Sequence, residues 1–221
     1  MNTADLAPPK WNGYWWLPPT EELGLKWFNN PRGERPEVID ATMKYIIDPQ
    51  DKIALDCGAH VGTWTLELAK HFKHTHAFEP ILTIWTALRH NIAQRKIPLE
   101  RVTTHLAAVG DRMTNCCPTF CANASMSSHL EADRSGAIPV WRLDAVSWGK
   151  IGLIKLDVEG YEWHALVGAE NILVNHHPVI VIEWKPHRLD RLGEFTPRIE
   201  ALLKEHGYEL AEQQEIDRIY V

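Results

Sequence analysis

The chain has 221 residues and a formal net charge of −6, and this size predicts one α/β domain with a full core. It contains no run of Lys or Arg, which argues against duplex nucleic acid as a partner because neutralising phosphates requires clustered cations. No stretch approaches the roughly 18 uninterrupted apolar residues of a membrane span. The first ten residues do not resemble a secretory signal. The four cysteines are too few for a disulfide framework and favour the reducing cytoplasm.

Residues 1–35 form a Trp- and Pro-rich N-terminal arm that precedes the main domain, residues 36–221. The prolines exclude a long helix in the arm, and so much aromatic surface is not expected to remain in water. Two interpretations stay open: the arm packs across the main domain, or it forms a lid over a pocket. The aromatic residues of the arm are Trp11, Tyr14, Trp15, Trp16, Trp27 and Phe28.

Strands and helices alternate from residue 36 onwards, which favours a mostly parallel sheet with helices on both faces. A helix is expected to begin at Pro36 and to end at Asp48-Pro49. Segment 112–139 is predicted to be irregular, either as a loop over the pocket or as a surface excursion. The other predicted strands are 52–56, 75–78, 102–107, 152–156, 179–183 and two within 207–221, and the other predicted helices are 63–72, 81–95, 161–173 and one that Thr196 caps.

The most informative segment is the turn after the first of these strands, where Asp56, Gly58 and Gly62 give the spacing D-x-G-x-x-x-G. Glycines let the backbone turn and approach a nucleoside ligand closely. A dinucleotide site has the spacing G-x-G-x-x-G, and an acidic side chain at that turn would repel its pyrophosphate. Asp56 is compatible instead with a cationic ligand such as S-adenosylmethionine. An ordinary strand-turn-helix corner remains the alternative.

Glu79 closes the next predicted strand, 23 positions after Asp56. An acidic residue about 20 positions after the glycine turn is placed to accept both ribose hydroxyls of a nucleoside ligand. Pro80 ends the strand, so the carboxylate is expected at the carboxyl edge of the sheet. A solvated loop charge is the alternative.

A second group of carboxylates follows the strand 152–156. Asp157 and Glu159 lie two residues apart next to Gly160, and Glu183 ends a neighbouring predicted strand. Open α/β sheets bind their ligands at this edge, where such carboxylates can act as a general base or as ligands of a hard cation. A structural role, capping the helix that starts near Tyr161, is the alternative.

These motifs together resemble the FkbM-type family of S-adenosylmethionine-dependent methyltransferases, from about residue 36 to the C-terminus. The resemblance implies a Rossmann-like class I fold, with a seven-stranded, mostly parallel sheet whose last strand is antiparallel. It also implies methyl transfer to a hydroxyl of a small molecule or carbohydrate. The motifs that carry it are DCGAHVGTWTLELAK from Asp56, AFEP from Ala77, AAVGD from Ala107, RLD from Arg142, LIKLDVEGYEWHALVGAE from Leu153 and PVIVIEW from Pro178.

The resemblance also implies roles for individual residues. It places the amino-acid end of the cofactor near Asp56, Gly58 and Gly62, the ribose on Glu79, and the adenine beside the backbone around Ala107 and Ala108. Many class I enzymes offer an Asp to the adenine, whereas the nearest carboxylate in this chain is Asp111. The implied catalytic group is Asp157, Glu159 and His164, and His60 is a further candidate for the pocket wall.

Asp157 is the first candidate for a general base, since a hydroxyl acceptor must lose its proton and a base contributes about 10²–10⁴-fold. A single carboxylate of ordinary pKa is a weak base for an alcohol, however, which slightly favours a metal or a neighbouring His. The alternative is that Asp157 and Glu183 hold a divalent cation that acidifies the hydroxyl, and no metal site is firmly predicted. Two other functions stay open: a nucleotide-dependent enzyme of another class, and a non-catalytic binding module that keeps the fold.

Overall fold

The structure is a computed structural model that describes residues 8–18, 28–29, 31–33, 35–119, 129–132, 138–185 and 195–221. In chain order its elements are β1 Lys10–Trp11, β2 Trp16–Leu17, α1 Pro36–Met43, β3 Ile53–Cys57, α2 Thr63–His71, β4 His74–Phe78, α3 Leu82–Gln94, β5 Val102–His105, β6 Ala108–Val109, β7 Thr114–Thr119, β8 His129–Ala132, β9 Ile138–Trp141, β10 Ile151–Leu156, α4 Glu162–Val167, α5 Glu170–His176, β11 Val179–Glu183, α6 Phe195–Glu205, β12 Leu210–Gln214 and β13 Asp217–Tyr220.

The central sheet has seven strands in the order β12-β13-β11-β10-β3-β4-β5. The five strands from β11 to β5 are parallel, and β13 runs antiparallel to β11. This arrangement confirms the predicted class I sheet with its antiparallel last strand. The order reverses between β3 and β10, and such a switch point opens a crevice at the carboxyl ends of the strands.

Helices cover both faces of the central sheet, as expected. One face packs against α4, α5 and α6 through Leu166, Leu173 and Leu203, and the other packs against the first three helices. All six residues of β10 are buried, including Lys155, a charged residue in an otherwise apolar strand. Among the described residues, no helix is long and apolar enough to cross a membrane.

The predicted helix 161–173 was wrong in one respect, because the segment forms two helices that separate at Gly168. A Cβ at Gly168 would lie 2.0 Å from the carbonyl oxygen of Gly110, so two backbone segments touch there. Asp144 then accepts the backbone N–H groups of Asn171 and Ile172 at 3.0 and 3.1 Å. The carboxylate of Asp144 thus caps the N-terminus of α5, and α5 forms as a helix separate from α4.

Segment 112–139 also differs from the irregular structure that was predicted. Its described residues contribute β7, β8 and the first two residues of β9 to a second sheet with the order β6-β9-β7-β8. Cys116 and Val140 pack with Ala108 in a small core of their own. The strands are short and contain Pro118 and Pro139, which weakens any strand signal in the sequence.

The described part of the N-terminal arm packs across the main domain. Trp15, Leu17 and Phe28 are buried in one cluster with residues of the glycine turn and α3. Asn91 of α3 accepts the N–H of Trp16 at 2.7 Å and donates to its carbonyl oxygen at 3.0 Å. The packed-arm interpretation therefore holds for these residues, while Trp27 lies outside the described ranges.

Candidate active site

One pocket of about 1030 Å³, including the space at its mouth, opens at the carboxyl ends of β3, β4, β10 and β11. It brings together most of the predicted site residues from five separate segments of the chain. Those that line it are Gly58, His60, Glu79, Ala107, Ala108, Asp157, Glu159 and Glu183, together with the unpredicted Arg35, Thr63, Trp64, Tyr161, Lys155 and Lys185.

The glycine turn is held by backbone contacts on both sides. Gly58 and Ala59 both donate their N–H groups to the carbonyl oxygen of Phe78, at 3.0 and 2.9 Å. Gly58 has φ +79°, and a Cβ there would lie 1.8 Å from the carbonyl oxygen of Asp157. Gly62 has φ +100° and lies outside the pocket lining. A Cβ there would lie 2.5 Å from the side chain of Leu88. Both glycines therefore serve close packing of the chain upon itself.

His60 lies between the two glycines and has a left-handed backbone with φ +51°, a region that few residues other than glycine occupy. Its N–H donates to Oε2 of Glu79 at 3.1 Å. Its ring stacks on Phe28 of the arm, with centroids 5.8 Å apart and planes 23° apart. The glycine turn is therefore connected both to Glu79, at the end of β4, and to the N-terminal arm.

Glu79 is almost fully buried at the pocket wall. Its Oε1 accepts the N–H of Ile81 at 2.8 Å, while its Oε2 accepts that of His60. Burial raises the pKa of Glu79, and His60 and these N–H groups oppose the rise. Each carboxylate oxygen has a second lone pair, so the side chain is fixed in place with capacity for two more donors.

Asp56 lies beneath the glycine turn rather than in the pocket lining. It is fully buried, and its Oδ2 accepts the hydroxyl of Thr65 at 2.6 Å. The ammonium of Lys155 lies 3.5 Å from its Oδ1, because the two residues are register partners on β3 and β10. The side chain of Asp56 therefore has partners within the protein, and its role toward a cofactor stays a prediction.

Lys155 connects the two halves of the pocket. Its Nζ donates to the carbonyl oxygen of Gly58 at 2.8 Å and lies 3.6 Å from Oδ2 of Asp157. Burial would lower the pKa of Lys155, but the charges of Asp157 and Asp56 raise it above its usual value. The side chain is therefore a buried ammonium that neutralises two carboxylates.

Asp157 and Glu183 face each other from the ends of β10 and β11 and share a hydrogen bond. Burial and the charge of Asp157 raise the pKa of Glu183 to about 8. Burial alone would raise the pKa of Asp157, but Lys155 and the hydrogen bond with Glu183 hold it well below its usual value. Lys155 therefore favours the ionised form of Asp157, whereas burial and the charge of Asp157 favour the protonated form of Glu183.

Two further cations hold Glu183 in place. Its Oε1 accepts from Arg35 at 2.9 Å, and its Oε2 lies 2.5 Å from Nζ of Lys185. Arg35 also binds Asp217, the register partner of Glu183 on β13. The start of α1 and the last strand are thus joined at the pocket rim.

Asp157, Glu159 and Glu183 offer oxygens within 4.8 Å of one another, as a cation site would require. Each carboxylate already has a resident cation, however. Lys155 lies beside Asp157, while Lys185 lies 3.9 Å from Glu159 and 2.5 Å from Glu183. A divalent cation would have to displace these ammonium groups, so the cluster does not fit a metal well.

Glu162 fixes the loop that carries these acids. Its carboxylate accepts the backbone N–H groups of Val158 at 3.1 Å and Gly160 at 3.0 Å. Burial raises its pKa to about 7. The structural role that was considered for Asp157 and Glu159 therefore belongs to Glu162.

His164, a predicted catalytic residue, lies outside the pocket lining. Its Nδ1 is 3.6 Å from Oδ2 of Asp111, and its ring packs on Tyr161. Asp111 is absent from the lining as well, so the wall near Ala107 and Ala108 is apolar and contains no carboxylate among the described residues.

Residues 56–210 match the methyltransferase FkbM domain, a match that covers more than half of the chain. The chain belongs to the FkbM methyltransferase family. No curated protein matches its sequence.

The FkbM chain is also similar to solved structures. A methyltransferase FkbM from Methylobacillus flagellatus KT has 18% identity and a TM-score of 0.54, over 80% of this chain and 44% of that one, so the present chain spans less than half of that protein. A putative methyltransferase from Streptococcus mutans in complex with SAH has 12% identity and a TM-score of 0.53, over 84% and 94% of the two chains. A putative rRNA methylase from Clostridium thermocellum has 11% identity and a TM-score of 0.52, over 84% and 92%. These identities show the class I fold alone.

Sequence reasoning missed three cations of this FkbM site: Arg35, Lys155 and Lys185. Lys155 had a visible signal, because a lone charge in a six-residue buried strand requires a partner. Arg35 had no such signal, since its partner Glu183 lies 148 residues away. Lys185 had none either, because it follows the end of β11, and its pairing with Glu183 is not visible in a local pattern.

Proposed function

We propose that the chain is an S-adenosylmethionine-dependent O-methyltransferase that acts on a hydroxyl of a small molecule or sugar. The observation that carries this proposal is that Glu79 and Asp157 both line one pocket, at the ends of β4 and β10, the two strands that flank β3. Glu79 is oriented by two backbone N–H groups, and Asp157 is kept ionised by Lys155. Membership of the FkbM family supports methyl transfer.

The pocket fits an adenosyl donor on its Glu79 side. The free lone pairs of the fixed carboxylate suit the two hydroxyls of a ribose, and the small residues Ala107 and Ala108 leave room for a flat base. Gly58 and His60 bound the space for the amino-acid end, with Asp56 supporting them from below through Lys155. When bound, S-adenosylmethionine supplies a methyl group that its sulfonium already activates.

The chain's own residues then have to orient the acceptor and remove its proton. Asp157 is the proposed base, since it is ionised and lines the pocket. Glu183, fixed by Arg35 and Lys185, holds Asp157 by a hydrogen bond. Because the carboxylates already carry resident cations, we assign removal of the acceptor's proton to Asp157 acting without a metal ion. Glu159 would orient the acceptor from the neighbouring position.

Calorimetric titration with SAH and NAD tests the donor assignment. Binding of SAH without binding of NAD supports it, and the reverse would favour another nucleotide-dependent enzyme. Incubation of the protein and S-adenosylmethionine with pools of hydroxylated metabolites then tests turnover, read by mass spectrometry as the gain of one methyl group and formation of SAH. Binding without any turnover across carbohydrate and non-carbohydrate pools would favour a non-catalytic module.

A further inference from the structure

The N-terminal arm reaches the candidate donor site through one aromatic contact. Phe28 is fully buried and stacks on the His60 ring, and it shares a cluster with Ala59 and Val61 of the glycine turn. Its carbonyl oxygen accepts from the side chain of Asn12 at 3.2 Å. The contact therefore joins the described part of the arm to the centre of the turn.

The arm is also anchored by Arg95, which follows α3. Trp15 packs against Phe28 with ring centroids 5.9 Å apart, and the guanidinium of Arg95 lies 4.8 Å from the Trp15 ring. Arg95 also donates to the carbonyl oxygens of Tyr14 and Pro31 at 3.1 and 2.8 Å. Phe28 consequently has a fixed position from which it can support His60.

His60 is the residue of the turn that needs such support. Its left-handed backbone directs its N–H to Oε2 of Glu79, and a non-glycine residue persists in that conformation only when its surroundings hold it there. If the ring lost its stacking partner, the turn could relax, and Glu79 would lose one of its two orienting donors.

We infer that Phe28 is a positioning residue of the donor site, and that the arm is part of the cofactor-binding apparatus. Phe28 acts through His60 on Glu79 and has no need to touch the cofactor. This inference rests on the proposed function for its consequence in binding, but its structural part can be measured in the protein alone.

The test compares Phe28→Leu, which loses the flat ring, with Phe28→Tyr, which keeps it. Phe72→Leu is the matched control, since Phe72 is equally buried and lies at the end of α2, outside the pocket. Hydrogen exchange of segment 58–62 is followed in each protein without ligand, and SAH affinity is measured by calorimetry well below the unfolding temperature.

An aromatic pair contributes about twofold to tenfold in an equilibrium constant. Phe28→Leu should raise exchange in segment 58–62 and the Kd for SAH by about that factor, while Phe28→Tyr and Phe72→Leu should leave both near their wild-type values. Unchanged exchange in Phe28→Leu would overturn the inference, as would an equal rise in Phe72→Leu. If the wild-type protein bound no SAH, the proposed function would fail, while the exchange comparison would still decide whether Phe28 positions the turn.

Discussion

The carbonyl oxygen of Asp157 occupies the space into which a side chain at Gly58 would project. A Cβ at Gly58 would lie 1.8 Å from that oxygen, so the glycine turn and the loop that carries Asp157 are in backbone contact. The glycine is therefore required for the two halves of the pocket to meet.

Gly58→Ala should destabilise the protein strongly and abolish SAH binding. Gly13→Ala is a matched control, because Gly13 also has a positive φ, +105°, but open space around it. The control carries only the cost of a left-handed alanine, about 1–2 kcal/mol, which urea unfolding can measure. Equal losses in the two variants would mean that the contact with Asp157 is unimportant.

Glu79→Ala and Glu79→Gln should weaken SAH binding by about ten- to a hundredfold, since hydrogen bonds to a charged group contribute about 1.5–3 kcal/mol. Calorimetry measures the effect, with exposed Glu205→Ala as the control. Wild-type affinity in both Glu79 variants would refute the ribose assignment.

Asp157→Asn should retain SAH binding while turnover falls by about 10²–10⁴-fold, because the base is lost and the shape is kept. Glu159→Gln provides the comparison from the same loop and should affect turnover less. If the order of the two variants were reversed, Glu159 would be the base. The assay uses an acceptor that gains a methyl group in the screen of hydroxylated metabolites.

Lys155→Met should lower the free energy of unfolding by about 3–5 kcal/mol, because it leaves the buried Asp56 and the partly exposed Asp157 without their cation. Adding Asp56→Asn should recover part of the loss, since that change removes one of the two unpaired charges. Urea unfolding of the two variants and of Asp56→Asn alone completes the cycle. No recovery in the double variant would indicate that Lys155 acts through packing alone.

The contribution of Glu162 to the free energy of unfolding should fall as pH rises from about 4.5 towards 7, because Glu162 keeps its proton in the folded protein up to a pKa of about 7. An unfolded chain releases that proton near pH 4.5, so the folded state is favoured at the lower pH and loses about 3 kcal/mol across the window. Glu183 contributes in the same direction. The difference between wild type and Glu162→Gln isolates the Glu162 part, and parallel pH profiles would exclude it.

Periodicity and turn residues predicted the strands and helices of the main domain well, because segments such as residues 179–182 are continuous apolar runs between clear breakers. The family motifs also placed Glu79, Asp157 and Ala107 at one sheet edge. The two glycines of the turn were expected to let the backbone approach a ligand. In the structure Gly58 makes room for Asp157 and Gly62 makes room for Leu88, so each packs against a segment far away in the chain. The short strands of segment 112–139 and the pairing of Arg35 with Glu183 depend on tertiary contacts that no local pattern reports.

Insertion of β13 between β11 and β12 has a consequence for biosynthesis. The final strand completes the sheet and delivers Asp217 to Arg35. A nascent chain can therefore form β3 to β11 while still tethered to the ribosome, but its rim must wait until residues 217–220 have emerged from the exit tunnel.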